Sequence, residues 1–193
     1  MIFSLFGLLL GLGIGEILRD VAKAWRIKVG VSAVKQQIRI GWLVPLFAAL
    51  VIMDQTHFYI TAYYLRDAIP LTYLSLLGVL AVIGTYFICS TFVFPDDPED
   101  WSDFDDYYLR VRRFVAGGIV AAKMALVAIA IALVQSGQKF DDMRPESPIS
   151  TILTLANIAV LIALIFVANK RANLVLLAWL NLSLITQAIA DSV

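Results

Sequence analysis

Long apolar runs alternate with short polar segments along the whole chain. A helix needs about 20 mostly apolar residues, within a range of about 17 to 25, to cross ~30 Å of hydrocarbon at ~1.5 Å per residue. Six runs have that length and predict one all-α membrane domain, residues 1–193, built as a polytopic bundle of six transmembrane helices. The predicted spans are 2–18, 41–64, 69–94, 114–136, 149–168 and 172–191.

The composition supports a location in lipid. Of the 193 residues, 61% are hydrophobic and only 16% are charged, whereas soluble domains carry about 25% charged residues. The chain begins Met1, Ile2, Phe3 without the basic segment that precedes a secretory signal, so the first run is predicted to be a retained helix. We therefore predict a multi-pass protein of the cell membrane, the inner membrane in a bacterium, with no nucleic-acid partner.

The basic residues indicate an orientation. Cytoplasmic loops of membrane proteins hold the excess of Lys and Arg, and here eleven lie after the first, third and fifth spans against three after the second and fourth. This count predicts that both termini lie on the extracytoplasmic face. The eleven are Arg19, Lys23, Arg26, Lys28, Lys35, Arg39, Arg110, Arg112, Arg113, Lys170 and Arg171, and the three are Arg66, Lys139 and Arg144.

The connection after the first span has a helical pattern of its own. Between residues 17 and 37, apolar residues recur every three or four positions with Lys and Arg between them. This pattern predicts an interfacial basic helix in contact with anionic lipid head groups at the cytoplasmic face. The apolar positions are Leu18, Val21, Trp25, Val29 and Ala33.

The connection after the third span is acidic. It is predicted to be a hydrophilic cytoplasmic loop at about residues 95–110, and its seven carboxylates lack the spacing and the glycine of an EF-hand. No metal site is predicted from it.

Ionisable and amide side chains interrupt several spans. A charge at the bilayer centre costs about 2.5 to 3.5 kcal/mol on insertion scales, so such residues face the bundle interior and find partners. Counted from the helix ends, Asp54 and Lys123 lie within about 6 Å of the same depth. The predicted buried polar positions are Asp54, His57, Lys123, Glu16, Asn157 and Asn181.

These residues allow two interpretations. In the first, Asp54 and Lys123 form the central pair of a polar pathway, His57 titrates near neutral pH and the asparagines line the route. In the second, their hydrogen bonds only hold helices together. Such hydrogen bonds between membrane helices contribute about 0.6 kcal/mol to stability on average. His57 could equally belong to an extracytoplasmic aromatic belt formed by residues 58–64.

The first span also carries a packing signal. Gly7, Gly11 and Gly15 recur every four residues, which places them on one helix face and lets another backbone approach closely. The neighbour could be a helix of the same chain, a second copy or another membrane protein.

Motifs for catalysis and cofactors are absent from the sequence. One His and one Cys cannot supply a bis-histidine haem, a His/Cys zinc site or an iron–sulfur cluster, and no nucleotide or hydrolase motif is found. Two functional hypotheses follow: a small channel or carrier for protons, an ion or a solute, and, almost equally supported, a non-catalytic accessory or scaffold subunit of a membrane complex. An enzyme is the weakest hypothesis, because it would depend on Asp54 and His57 alone.

Overall fold

The structure is a computed structural model that describes residues 2–31, 38–66, 69, 72–135 and 148–190, with side chains from residue 6 and, in the last range, from residue 150. Within these residues the chain forms α-helices, one 3-10 turn and no strand, so the all-α prediction is confirmed for this part. The helices are α1 (Ile2–Lys28), α2 (Leu43–Tyr64), α3 (Tyr73–Thr91), α4 (Phe104–Gln135), α5 (Pro148–Phe166) and α6 (Lys170–Ala190), and the 3-10 turn is Pro98–Asp100.

Helix length and composition support a multi-pass membrane protein. Four of the helices, α2, α3, α4 and α6, are long and apolar enough to cross a bilayer, and the apolar segment Ser150–Phe166 of α5 is shorter. At the two ends of α2, Trp42, which directly precedes the helix, and Tyr63 are 69% and 44% exposed and lie about 32 Å apart along the axis. Trp and Tyr favour the two membrane interfaces, whose separation is close to that distance.

The basic segment after the first predicted span continues α1, which runs to Lys28. The prediction of a separate interfacial helix over residues 17–37 is therefore wrong. Polar side chains do not interrupt the backbone hydrogen bonds of a helix, and only glycine or proline would favour a break there. Residues 32–37, with Lys35, lie outside the described residues.

Helix α1 ends in a Schellman motif centred on Gly30, two residues after its last helical residue, Lys28. Gly30 has a positive φ of 75°, a conformation that glycine adopts without steric cost. The N–H of Val31 donates to the carbonyl of Arg26 at 3.0 Å, and the N–H of Gly30 donates to that of Ile27 at 3.1 Å. Both bonds satisfy carbonyls that the helix end would otherwise leave without partners.

Helix α4 begins ten residues earlier than the span predicted from residue 114, at Phe104. The acidic loop predicted over residues 95–110 is therefore shorter than expected. A carboxylate oxygen of Asp103 accepts a hydrogen bond from the N–H of Asp105 at 2.8 Å, which is the geometry of a helix N-cap. Asp105 and Asp106 then lie in the first turn, where negative charge complements the helix dipole.

The helices pack in a closed ring in the order α1, α3, α4, α5, α6, α2, and α2 also contacts α4 across the ring. The ring is therefore divided into two groups of four helices that share α2 and α4. Helix α2 is central, since ten of its 22 residues are buried. Because both groups contain α2 and α4, side chains of these two helices can contact each other within either group.

The connections that carry most of the basic residues meet at one end of the bundle, which we call the basic end. Lys23 Nζ donates to the carbonyl of Asp96 at 2.6 Å, and the backbone of Arg39 forms an isolated parallel bridge with Asp103. Lys170 Nζ lies 3.2 Å from a carboxylate oxygen of Asp103. The acidic loop thus packs against the basic connections on both sides of it.

The C-terminal end of α5 lies against two arginines of α4. Arg112 is only 3% exposed, and its guanidinium donates to the carbonyls of Val167 at 3.0 Å and Leu109 at 2.6 Å. The neighbouring Arg113 is exposed and donates to the carbonyl of Ile165 at 3.1 Å. Carbonyls at a helix C-terminus lack partners within their own helix, so these cations complete the end of α5.

Candidate functional site

A buried ion pair joins the two central helices. Lys123 Nζ of α4 lies 2.8 Å from Oδ1 of Asp54 in α2. The other carboxylate oxygen, Oδ2, accepts a hydrogen bond from the hydroxyl of Tyr86 in α3 at 2.8 Å. The side chain of Asp54 is 3% exposed and that of Lys123 is 16% exposed. Three helices therefore share one charged centre.

The pair lies at the middle of the bundle. Asp54 follows the first residue of α2, Leu43, by about 16 Å and precedes its last, Tyr64, by about 15 Å. Neither charge can reach water at a helix end from that depth. The carboxylate and the ammonium must therefore be stabilised by each other and by local hydrogen bonds.

A small cavity lies beside the pair, between α2, α4, α5 and α6. Its volume is about 10 Å³, which is enough for about one water molecule. Five of its eleven lining residues are apolar, and the six polar ones include both members of the ion pair. The cavity is lined by Leu50, Asp54, His57, Lys123, Thr154, Asn157, Ile158, Leu161, Leu180, Leu184 and Gln187.

Asn157 places an unused donor in this region. Its Oδ1 accepts a hydrogen bond from the hydroxyl of Ser183 at 2.5 Å. Its Nδ2 is buried and has no hydrogen-bond partner among the described residues. A buried polar atom without a partner costs about 1 to 3 kcal/mol, and a water molecule in the adjacent cavity would satisfy it.

The polar residues beside the cavity lie towards the end of the bundle opposite the basic end, and the apolar residues lie towards the basic end. His57, Thr154 and Gln187 lie about one turn further from the basic end than Asp54, Asn157 and Ser183, respectively, and the Gln187 amide donates to the hydroxyl of Thr154 at 3.0 Å. Towards the basic end the interior is closely packed and mostly apolar, and its buried polar groups include the Tyr108 hydroxyl, which donates to Oδ1 of Asn173 at 2.8 Å. The apolar part of this interior is filled by Leu43, Val44, Phe47 and Leu177, each at most 2% exposed.

The predicted polar residues are only partly brought together. Asp54, His57, Lys123 and Asn157 line one cavity. Asn181 lies elsewhere on α6 and donates to the carbonyl of Leu46 at 3.1 Å, so its amide bridges α6 to the backbone of α2.

Glu16 is also separate from the central pair. Its carboxylate forms an ion pair with Arg19 of the same helix, and its side chain is 28% exposed. The structure therefore places Glu16 on the flank of α1, without a contact to the cavity lining.

The glycines of α1 differ in their surroundings. A Cβ at Gly7 would lie 3.5 Å from the ring of Tyr59, whereas a Cβ at Gly11 or Gly15 would meet no atom within 4 Å in the described part of the chain. The closest approach is at Gly13, where a Cβ would lie 3.0 Å from the hydroxyl of Ser90. Packing of Gly11 and Gly15 against another chain stays a prediction.

Sequence reasoning missed several polar partners. Tyr86 is the most important, because it contacts Asp54 directly. Gln55 donates to the hydroxyl of Ser90 at 2.5 Å and is fully buried, and its position beside Asp54 within an apolar run could have indicated it. Hydroxyl groups give no such signal, since they can bond within their own helix, as Ser90 does to the carbonyl of Tyr86 at 2.9 Å.

Comparisons with models of known families, with curated proteins and with solved structures give no match to this chain. Among the described residues no group of three or more His, Cys, Asp or Glu side chains is placed to hold a metal ion. The chemistry of the site therefore has to be inferred from the ion pair, its hydrogen bonds and the cavity.

Proposed function

We propose that the chain crosses the bilayer six times, with the basic end in the cytoplasm and both termini outside. The excess of Lys and Arg at that end supports this orientation. A cysteine at the exposed position Glu99, in a Cys89→Ser background, should react with a membrane-impermeant maleimide in inside-out vesicles but not in intact cells. Labelling of intact cells would contradict the orientation.

We further propose that the protein conducts protons across the membrane through the Asp54–Lys123 pair. The observation that carries the proposal is a charged pair at mid-depth beside a cavity the size of one water molecule. The unused donor of Asn157 in the cavity wall adds a binding position for that water.

Stability alone is a weak reason for such a pair. Burying two charges costs several kcal/mol per ion, and hydrophobic residues of similar volume often serve a protein interior equally well or better. Polar contacts between membrane helices contribute only about 0.6 kcal/mol on average. A role that needs charge accounts better for Asp54 and Lys123, because ionisable residues inside membranes are typical of ion pathways and proton relays.

The small volume of the cavity favours the proton over another ion or a solute as the transported species. About 10 Å³ accommodates a single water molecule, whereas a hydrated ion or an organic solute needs more space. A proton needs no continuous pore, because it moves between hydrogen-bonded water and titrating side chains. The walls of Leu50, Leu161 and Leu184 can therefore remain closed around it.

The distribution of polar residues suggests the direction of access. We propose that water approaches Asp54 from the end opposite the basic end, past Gln187, Thr154 and His57, which line the cavity. A proton from the outer solution, relayed through that water so that the water keeps two hydrogens, neutralises the Asp54 carboxylate and releases the ammonium of Lys123. Loss of the proton towards the basic end restores the pair, and it requires the apolar packing around Phe47 to open.

Flux measurements in liposomes test the proposal. Purified protein is reconstituted with a pH-sensitive dye inside, and a pH gradient is applied while the membrane potential is held at zero. We expect wild-type protein to accelerate the decay of the gradient. Asp54→Asn should abolish the effect, because it removes the carboxylate that accepts the proton and keeps its shape, and Lys123→Met should do the same.

Glu99→Gln is the matched control, because it removes one exposed carboxylate far from the cavity and should leave the flux unchanged. Two results would contradict the proposal. One is a wild-type rate equal to that of empty liposomes under gradients of either sign. The other is an undiminished flux in correctly folded Asp54→Asn.

A second function is favoured by one observation. Gly11 and Gly15 are exposed and leave open space on α1, where another helix could approach closely. This supports an accessory or scaffold subunit that packs on a second copy or on another membrane protein. The same liposomes separate the two functions, because a subunit of this kind gives no flux by itself.

A further inference from the structure

Five of the ten described cations at the basic end have ion-pair or hydrogen-bond partners within the chain, and one of them, Arg19, pairs with Glu16 of its own helix. Lys23 donates to the carbonyl of Asp96, and Lys170 pairs with Asp103 and Asp106 at 3.2 and 2.6 Å. Arg112 and Arg113 are bound to carbonyls at the end of α5. The acidic loop and the helix ends therefore satisfy these positive charges.

At one corner of the basic end, cations without an ion pair in the described part of the chain lie beside exposed indoles. Arg26 and Lys28, in the last turn of α1, are exposed and have no carboxylate within 4.0 Å among the described residues. The Lys28 ammonium lies 5.8 Å from the ring centre of Trp25 and 5.5 Å from that of Trp42. The Lys28 ammonium and the two indoles thus form one surface, which we call the Trp25–Trp42 corner, and Arg26 lies in the same terminal turn of α1.

The corner lies where α2 enters the bilayer. Trp42 directly precedes the first residue of α2, and Trp25 is held at a similar level because both rings contact Lys28. The two rings are 65% and 69% exposed. Indoles favour the depth of the lipid head groups, where one edge is apolar and the other is wet.

Apolar side chains continue from the corner along α1. Leu18 is 54% exposed and Val21 is 37% exposed, and each lies one or two turns before Trp25 on the way into the bilayer. This surface therefore presents positive charge at the head-group level and apolar side chains below it. An anionic phospholipid has the complementary arrangement, with a phosphate above its acyl chains.

We propose that the Trp25–Trp42 corner is a binding site for an anionic phospholipid. Arg26 and Lys28 contact the phosphate, the indoles pack against the glycerol region, and an acyl chain follows Leu18 and Val21. The site rests on insertion of the chain in a membrane and is independent of proton conduction. Basic residues at a membrane surface each contribute about tenfold or less to the binding of anionic lipid.

Titration of detergent-solubilised protein with defined lipids tests the site. Bound lipids are counted by native mass spectrometry with dioleoyl phosphatidylglycerol or dioleoyl phosphatidylcholine. We expect wild-type protein to bind phosphatidylglycerol at least tenfold more tightly. Arg26→Gln with Lys28→Gln should weaken that binding about 10- to 30-fold and leave phosphatidylcholine unaffected. Both side chains are exposed, so the variant should keep its thermal midpoint.

The matched control is Arg66→Gln with Arg110→Gln. It also removes two cations that lie over aromatic rings, at 3.7 Å from Tyr63 and 5.1 Å from Trp101. We expect the control to bind phosphatidylglycerol as wild type does. An equal loss of phosphatidylglycerol affinity in both variants would indicate that only the net charge of the protein attracts the lipid, and it would overturn the proposal. Equal affinity of wild type for the two lipids, or displacement by free glycerol phosphate, would overturn it as well.

Discussion

Replacing Asp54 by leucine is expected to lower the free energy of unfolding by about 3 to 5 kcal/mol. The substitution leaves the ammonium of Lys123 in the bundle interior without its carboxylate at 2.8 Å, and it also removes the acceptor of the Tyr86 hydroxyl. Reversible denaturation in detergent micelles measures the change. Gln55→Leu, one position along the same helix, removes only neutral hydrogen bonds and should cost about 1 kcal/mol.

The double variant Asp54→Leu with Lys123→Met should recover most of that loss. Replacing a buried ion pair by apolar residues of similar volume is often neutral or stabilising, whereas leaving one charge buried without its partner costs about 3 to 5 kcal/mol. If the double variant is as unstable as Asp54→Leu alone, the loss does not come from the unpaired charge. The low stability of Asp54→Leu would then have a cause other than the loss of the ion pair.

Replacing Arg112 by methionine is expected to cost about 2 to 3 kcal/mol of stability. The guanidinium is almost fully buried and donates to the carbonyls of Val167 and Leu109. Hydrogen bonds to a charged group contribute about 1.5 to 3 kcal/mol, and the Val167 carbonyl keeps a second donor, Nδ2 of Asn173 at 2.8 Å. The same denaturation experiment measures the loss, which should be accompanied by fraying of the C-terminal end of α5.

Arg113→Met is the control for this prediction. Arg113 also donates to a carbonyl of α5, that of Ile165 at 3.1 Å, but its side chain is exposed to the surroundings. Exposed interactions of this kind contribute at most about 1 kcal/mol. Equal losses in the two variants would contradict the role of burial at Arg112.

The apolar runs predicted the helices better than they predicted the helix ends. The second span was predicted over residues 41–64 and α2 is Leu43–Tyr64, because charged or turn-forming residues coincide there with the limits of the helix. For α1 the charges begin at Glu16 while the helix continues to Lys28. Hydropathy indicates whether a segment is surrounded by lipid or by water, but it does not indicate where a helix ends. The helical hydrogen bonds of α1 end at the turn formed by Gly30.

Depth predicted which charged residues could meet, but not how each helix is rotated. Counting residues placed Asp54 and Lys123 at similar levels, and the structure has them 2.8 Å apart. Asn181 was placed at a similar level too, yet its amide points to the carbonyl of Leu46. The rotation of α6 depends on packing with α2 and α5, which a single sequence does not contain. Tyr86 gave no signal, since tyrosine is common at membrane interfaces.

The most direct test of the central claim is proton flux through the stable double variant, Asp54→Leu with Lys123→Met, in the same liposomes as wild type. Its folding is established first by its thermal midpoint in detergent. If the ion pair is the conducting centre, the double variant should be folded and its flux should equal that of empty liposomes. Wild-type flux in a folded double variant would contradict the account, because the pair would then serve only to connect α2 and α4.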